Sequence, residues 1–262
     1  MEPKVIFEDE DVFVIDKPSG MTVNKADTTK GEETVQDWIE RKYEARSMKY
    51  EGDTESDFVK RGGMVHRLDK ETSGILLIAK NPQSFENLQK QFKERTVKKK
   101  YIALVHGEVK PSEGEINVPV GRLPWNRMRF GVVPGGRESV TKYRVIRYLE
   151  VGNEKWDLES LKSRSQDIKK STSRVSNFSL LEVQPQTGRT HQIRVHLKYL
   201  GFPIVGDELY AGRKQSREDR KWCPRLFLHA SEISFMHPKT RIEMIFKADL
   251  PEDLASVLKG NF

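Results

Sequence analysis

Asp69 is the residue best placed to do chemistry in this sequence. It lies in His66-Arg67-Leu68-Asp69-Lys70-Glu71-Thr72-Ser73-Gly74, a polar, glycine-ended stretch that passes directly into the apolar run 75–79. A turn delivered onto a short apolar strand holds a loop side chain in one place. Arg67 and Asp69 are two apart, so an extended segment puts them on one face, where a neighbouring guanidinium keeps a carboxylate ionised. An ionised carboxylate acts as a nucleophile or stabilises a developing cation. The same residue types also build turns: Asp69 capping its own backbone, with Thr72 and Ser73 doing likewise, is their ordinary structural use. Residue types alone leave both uses open.

Three other stretches carry chemically useful side chains. Lys98-Lys99-Lys100 leads into Tyr101 and a strand through Gly107. Beside such a basic run an aromatic ring can stack on an unpaired base while the cations hold phosphate, although a solvated strand end and a core tyrosine have the same composition. Between Gly121 and Arg137, the residues Arg122, Trp125, Arg127, Met128, Arg129 and Phe130 precede Gly135-Gly136. This reads as an exposed arm touching nucleic acid or as a long hairpin loop. Finally, Pro185-Gln186-Thr187-Gly188 turns into Arg189-Thr190-His191-Gln192-Ile193-Arg194, where backbone N–H groups and Arg189 suit an anion. Ile193, Leu197 and Leu200 have helical spacing, with Gly201 as the stop and Arg194 on another face, free to reach a different element. His191 and His196 are five apart rather than four and no HExxH is present, so no metal site is expected.

The elements that position these residues follow from periodicity. Strands are expected at 5–7 and 12–15, stopped by Lys17-Pro18-Ser19-Gly20, and a helix over 34–46 through Val35, Trp38, Ile39 and Tyr43. A loop fills 47–63. Pro82 opens a helix to about Arg95, with Phe85, Leu88 and Phe92 on its apolar side. Strands follow over 141–149 and 178–183, separated by a polar insertion at 153–177. Closing strands are expected at 226–230, 233–235 and 242–246, then a terminal helix over 251–258.

Composition narrows the partner. The 262 residues hold 46 Lys and Arg against 39 Asp and Glu, a net charge of +7, which favours an anionic partner, nucleic acid first. Cys223 is the single cysteine, excluding an intrachain disulfide and a cysteine-based zinc site. Neither a signal segment nor a run long enough to span a bilayer is present, so a soluble, cytoplasmic protein is expected.

Lys17-Pro18-Ser19-Gly20, His66 to Lys70 with Thr72-Ser73-Gly74, Lys99-Lys100-Tyr101, and Thr187 to Arg194 with Gly206-Asp207 together resemble, in order, the motifs of the RluA family of RNA pseudouridine synthases. The resemblance covers about residues 5 to 250 and implies an isomerase that turns uridine in rRNA or tRNA into pseudouridine without a cofactor. It implies an α+β pseudouridine synthase fold: a long, bent, mostly antiparallel mixed sheet, with flanking helices and loops around a central RNA-binding cleft, as one catalytic domain over 1–262. By resemblance Asp69 is the catalytic carboxylate, Tyr101 stacks on the target uracil, Arg194 pairs with the aspartate, and Arg67 helps occupy the place of the flipped nucleotide. His66, Lys100, Arg189, Thr190, His191 and Leu228 are further candidates for contact with RNA, and a monomer is expected.

Two departures stand out. The pattern begins within the first twenty residues, without the S4-type RNA-binding domain of many relatives, so target choice is expected from the catalytic domain, the 122–130 arm and the insertion. Asn24 stands where relatives often have histidine. The alternative is an RNA-binding or ribosome-assembly protein on the same fold. Pure binding has no use for a carboxylate that repels phosphates, so Asp69, Tyr101 and Arg194 together favour the enzyme.

Overall fold

The computed structural model describes residues 2–26, 29, 31–44, 56–151 and 176–260. In chain order the elements are β1 (Lys4–Glu8), β2 (Val12–Lys17), α1 (Val35–Glu44), α2 (Asp57–Lys60), β3 (Ser73–Ala79), α3 (Pro82–Lys93), β4 (Lys98–His106), β5 (Glu113–Asn117) and β6 (Val120–Leu123). There follow β7 (Asn126–Val132), β8 (Val140–Val151), β9 (Ser176–Pro185), α4 (Gln192–Tyr199), α5 (Arg213–Asp219), β10 (Leu228–Met236), β11 (Glu243–Lys247) and α6 (Glu252–Lys259). The chain divides into two compact units: residues 1–100 with 229–248, and residues 101–228 with 249–262.

In the first unit β2 pairs antiparallel with β1 and β3, β3 runs parallel to β10 through Ser73 and Gly74, and β10 pairs antiparallel with β11. Every residue of β3 is buried, which is why its sequence is a continuous apolar run rather than an alternation. One face meets α1, where Phe13 stacks on Trp38 with centroids 6.0 Å apart. On the other face Val12, Val14, Ile75 and Leu77 share a cluster with Phe85 and Leu88 of α3. Asn81 caps α3 by accepting the Ser84 N–H, with Pro82 in the first turn as its spacing predicted.

In the second unit β9 lies between β4 and β8, and β5 pairs with the far side of β8, all antiparallel. β6 and β7 form a separate two-stranded hairpin. The Gly121–Arg137 stretch is therefore a formed hairpin rather than a loop. Cys223 is fully buried, and burial pushes its thiol up to about 11.

Other expectations need correction. Strands expected at 226–230 and 233–235 are one strand, β10, because half-buried Ser231 and Glu232 continue it. The expected loop 47–63 contains the short helix α2, its residues 47–55 lying outside the described part. β5 and α5 were not foreseen. The polar insertion lies outside the described residues up to 175, and its last two residues open β9. Among the described residues no helix is long and apolar enough to cross a membrane.

The seating of β3 against β10 turns on Gly74, at φ +112°, where a Cβ would lie 2.3 Å from the Ala230 carbonyl oxygen. Gly20 also has positive φ, +86°, but faces open space. Gly74→Ala is expected to cost more than about 3 kcal/mol and Gly20→Ala about 1 kcal/mol, measured as urea midpoints followed by circular dichroism. Equal shifts would show that the contact with β10 is unimportant.

Candidate active site

The Asp69 turn is fixed from below by Lys17 at the end of β2. Its side chain is fully buried, and its Nζ donates to the carbonyl oxygens of Pro18 and Met21, both at 2.8 Å, and of Lys70 at 3.2 Å. Gly20 N–H also donates to the Lys70 oxygen, and the Ser19 hydroxyl to that of Glu71. Residues 17–20 thus clamp the backbone immediately after Asp69. Thr72 N–H closes the turn on the Asp69 carbonyl oxygen at 3.1 Å. Leu68 is buried, Asp69 half-buried and Arg67 exposed, the alternation of an extended segment. Ser73 Oγ lies 2.9 Å from Nδ1 of buried His229, whose Nε2–H donates to the Ala248 oxygen. Ser73 therefore anchors the strand, not the turn.

His66 is held by its own unit. Its Nε2 accepts the Leu77 N–H at 2.9 Å, which leaves the hydrogen on Nδ1, and its ring stacks on Phe92 at 4.9 Å. Burial, and then the nearby Lys99 cation, push its pKa down to about 3. Lys99 stands over the Phe92 ring at 5.8 Å, and burial lowers its ammonium to about 8. Lys100 pairs with Glu232 at 2.9 Å.

In the second unit Arg194, at the start of α4, is 3% exposed. Its Nε and Nη2 donate to the two carboxylate oxygens of fully buried Asp207, each at 2.8 Å. Asp207 Oδ1 also accepts the N–H groups of Leu209 and Tyr210. The Arg194 guanidinium lies 5.1 Å from the Tyr210 ring centre. The Tyr210 hydroxyl accepts the Phe130 N–H at 3.2 Å and lies 2.9 Å from His191 Nδ1. Fork, carboxylate and ring together fix the guanidinium plane.

The start of α4 is held by a chain of side-chain bonds. The Thr187 hydroxyl and the Arg189 N–H both donate to Gln192 Oε1, and Gln192 Nε2 donates to the Val140 oxygen and to Thr141 Oγ1. Thr141 Oγ1 lies 2.9 Å from His196 Nδ1, and burial lowers the His196 pKa. Both histidines of this stretch thus engage protein partners. Arg189 Nε donates to the Glu138 oxygen, Thr190 is exposed, and Tyr101 and Leu228 are buried at 8% and 3% exposure.

The structure groups Asp69 with Arg67, His66 and Lys100 in the first unit, and Arg194, Arg189, Thr190, His191, Tyr101 and Leu228 in the second. The sequence reading quoted Lys17 and Asp207 as motif residues without roles and missed Tyr210 and His229. A lysine ending a strand that opens with the apolar run Val12-Phe13-Val14-Ile15, and an aspartate following Pro203-Ile204-Val205-Gly206, were the available signals, since a charge in an apolar setting demands partners.

A family model described as RNA pseudouridylate synthase matches residues 11–199. An uncharacterized RNA pseudouridine synthase of Bacillus subtilis, YlyB, is 34% identical over 99% of this chain and 73% of its own length. A Chloroflexus aurantiacus protein, also named an uncharacterized RNA pseudouridine synthase, is 41% identical over 76% of this chain and 53% of its own. Ribosomal large subunit pseudouridine synthase D of Nitrosomonas europaea is 32% identical over 98% of this chain and 64% of its own. The chain thus spans between about half and three-quarters of the length of these relatives. Human RNA pseudouridylate synthase domain containing 1 superposes with a TM-score of 0.66 at 23% identity, covering 98% of this chain and 87% of that one, a likeness of fold. A match through most of the chain, on a mixed α+β fold shared with that structure, makes this chain a member of the RNA pseudouridylate synthase family, a family of isomerases.

Proposed function

We propose that this chain isomerises uridine in RNA to pseudouridine, with Asp69 as the catalytic carboxylate. Family membership supplies the reaction, and the observation that carries the assignment is the clamp of residues 17–20 on the Asp69 turn. A carboxylate on a half-buried turn whose backbone is held in place is the group that chemistry at a ribose requires. Breaking the N1–C1′ bond gives the sugar oxocarbenium character, which a carboxylate stabilises, as in glycoside chemistry. The uracil then turns so that C5 bonds to C1′. The hydrogen on C5 leaves as a proton and N1 takes one up, so atoms balance with no cofactor.

The base must leave its stack before it reacts. Tyr101 serves as the shelf on which the uracil rotates, exposed Arg67 takes the place the nucleotide vacates, and Arg194 supplies positive charge to the reaction. His66, Lys100, Arg189, Thr190, His191 and Leu228 support the RNA around it, His66 by shaping the turn rather than by charge, since its pKa of about 3 keeps it neutral. The protein acts as a cytoplasmic monomer on rRNA or tRNA. The name of the Nitrosomonas relative makes large-subunit rRNA the first substrate to test.

Asp69→Asn is expected to abolish conversion, read by mapping pseudouridine in RNA from cells lacking the gene, while RNA affinity stays within a few-fold. Normal turnover by this variant would remove Asp69 from the mechanism and leave RNA binding as the function. Tyr101→Phe should keep most activity and Tyr101→Ala lose it, because a stacking shelf needs the ring and not the hydroxyl; equal rates in the two variants would count against the shelf. Asp207→Asn removes the charged carboxylate that holds both prongs of the buried Arg194 guanidinium, an expected loss of about 3–5 kcal/mol of stability with a fall in kcat. An unchanged denaturation midpoint would contradict that dependence.

A further inference from the structure

Thr72 is buried, at 2% exposure, yet its Oγ1 has no hydrogen-bond partner. Among the described residues only two other buried side-chain polar atoms share that state, the Nε atoms of Arg147 and Arg220, so Thr72 holds the one hydroxyl. The other buried hydroxyls of its unit are engaged: Ser73 with His229, Ser84 with Asp11, Thr34 with Asp37 and Ser234 with Glu243. A buried hydroxyl without a partner destabilises the fold, and a valine fills nearly the same space without that loss. Folding alone therefore gives no reason for a hydroxyl at this position.

The chain around Thr72 is committed on both sides. Lys17 and Gly20 hold the Lys70 carbonyl oxygen, Ser19 holds that of Glu71, and Ser73 is tied to His229. The Thr72 N–H closes on the Asp69 carbonyl oxygen at 3.1 Å, which makes Asp69 and Thr72 the first and fourth residues of one turn, with Cα atoms within about 7 Å. The backbone oxygens of Asp69, Lys70 and Glu71 thus each already accept a bond. Of the turn's two carboxylates, that of Asp69 belongs to the residue to which Thr72 is itself bonded. A carboxylate offers about four acceptor sites, so it takes a further donor beside other partners. Asp69 is half-buried and open to solvent on one side. RNA laid over the turn removes that solvent, and the carboxylate then needs donors from the protein to replace its hydration.

We propose that Thr72 is a positioning residue for the reaction: in the RNA complex its hydroxyl donates to the Asp69 carboxylate and aims it at the sugar. The inference rests on the reading of Asp69 as the catalytic carboxylate and adds the group that orients it. A hydroxyl left unsatisfied in the free protein, where the fold gains nothing from it, is held for the working state.

The test follows conversion of total RNA from cells lacking the gene, with the full chain in excess. The plateau rate then reports the chemical step, and the protein concentration at half-plateau reports RNA affinity. Thr72→Val is expected to lower the plateau rate about ten- to a hundredfold, the worth of one hydrogen bond to a charged group, with the half-plateau concentration within about twofold. Its urea midpoint, followed by circular dichroism, should be unchanged or higher, because the hydroxyl removed satisfied nothing in the fold. Thr72→Ser keeps the donor and should stay within about threefold of the unmodified rate. A lower midpoint in Thr72→Val overturns the proposal by showing that the hydroxyl serves the fold. So does an undiminished plateau rate, or a Thr72→Ser as slow as Thr72→Val. Asp69→Asn, measured alongside, keeps the two claims apart. If it is inactive while Thr72→Val is fully active, the role of Thr72 alone is refuted; if it is active, the assignment of Asp69 falls and the role of Thr72 with it.

Discussion

The ammonium of Lys17 is the constraint on which the Asp69 turn depends. Removing a charge from water costs several kcal/mol unless polar groups replace the lost hydration. β2 carries this charge to the end of a strand whose other residues are almost wholly apolar, and backbone supplies three of the replacement contacts. The chain supplies them by folding residues 18–21 and the Lys70 peptide around Nζ, in positions that the ladder of β2 with β3 leaves within reach. Asp69 precedes one of those peptides. The placement of a chemically useful carboxylate is thus a by-product of solvating a neighbouring cation.

The second unit meets the same demand differently. There the buried charge is a guanidinium, and its hydration is replaced by a carboxylate, two-pronged and itself capped by backbone N–H groups. Part of the polar motif around Arg194 is scaffold: Thr187 and Gln192, with Thr141 and His196, form one network joining the start of α4 to β8. Such a network is costly to leave half-made, which fixes the helix and with it the arginine. Thr187 and Gln192 of this conspicuous polar run are thus engaged by the scaffold itself.

Much of the fold was legible because period and punctuation agree. The β3 run, the Pro82 helix start and the Gly201 stop each followed from one local rule, and the order of four motifs identified the family. What stayed hidden was decided by distant partners. β5 has a single buried apolar side chain, Ile116, and α5 has no apolar stripe at all, so neither shows a period. Apolar spacing put Arg194 on another face of α4 and marks only one stripe, whereas residues 192–197 of α4 are all buried. Ser231 and Glu232 looked like a break in β10, but they face Lys100, which satisfies them within the strand.

Cys223, sealed within the second unit with a thiol raised to about 11, has a consequence for handling the protein. At neutral pH its sulfur is neither ionised nor reachable, so alkylating reagents and mild oxidants act on it only when the surrounding structure opens. As the sole thiol of the chain, it acts as an internal reporter of that opening, and the first unit, which has none, stays silent to the same reagents.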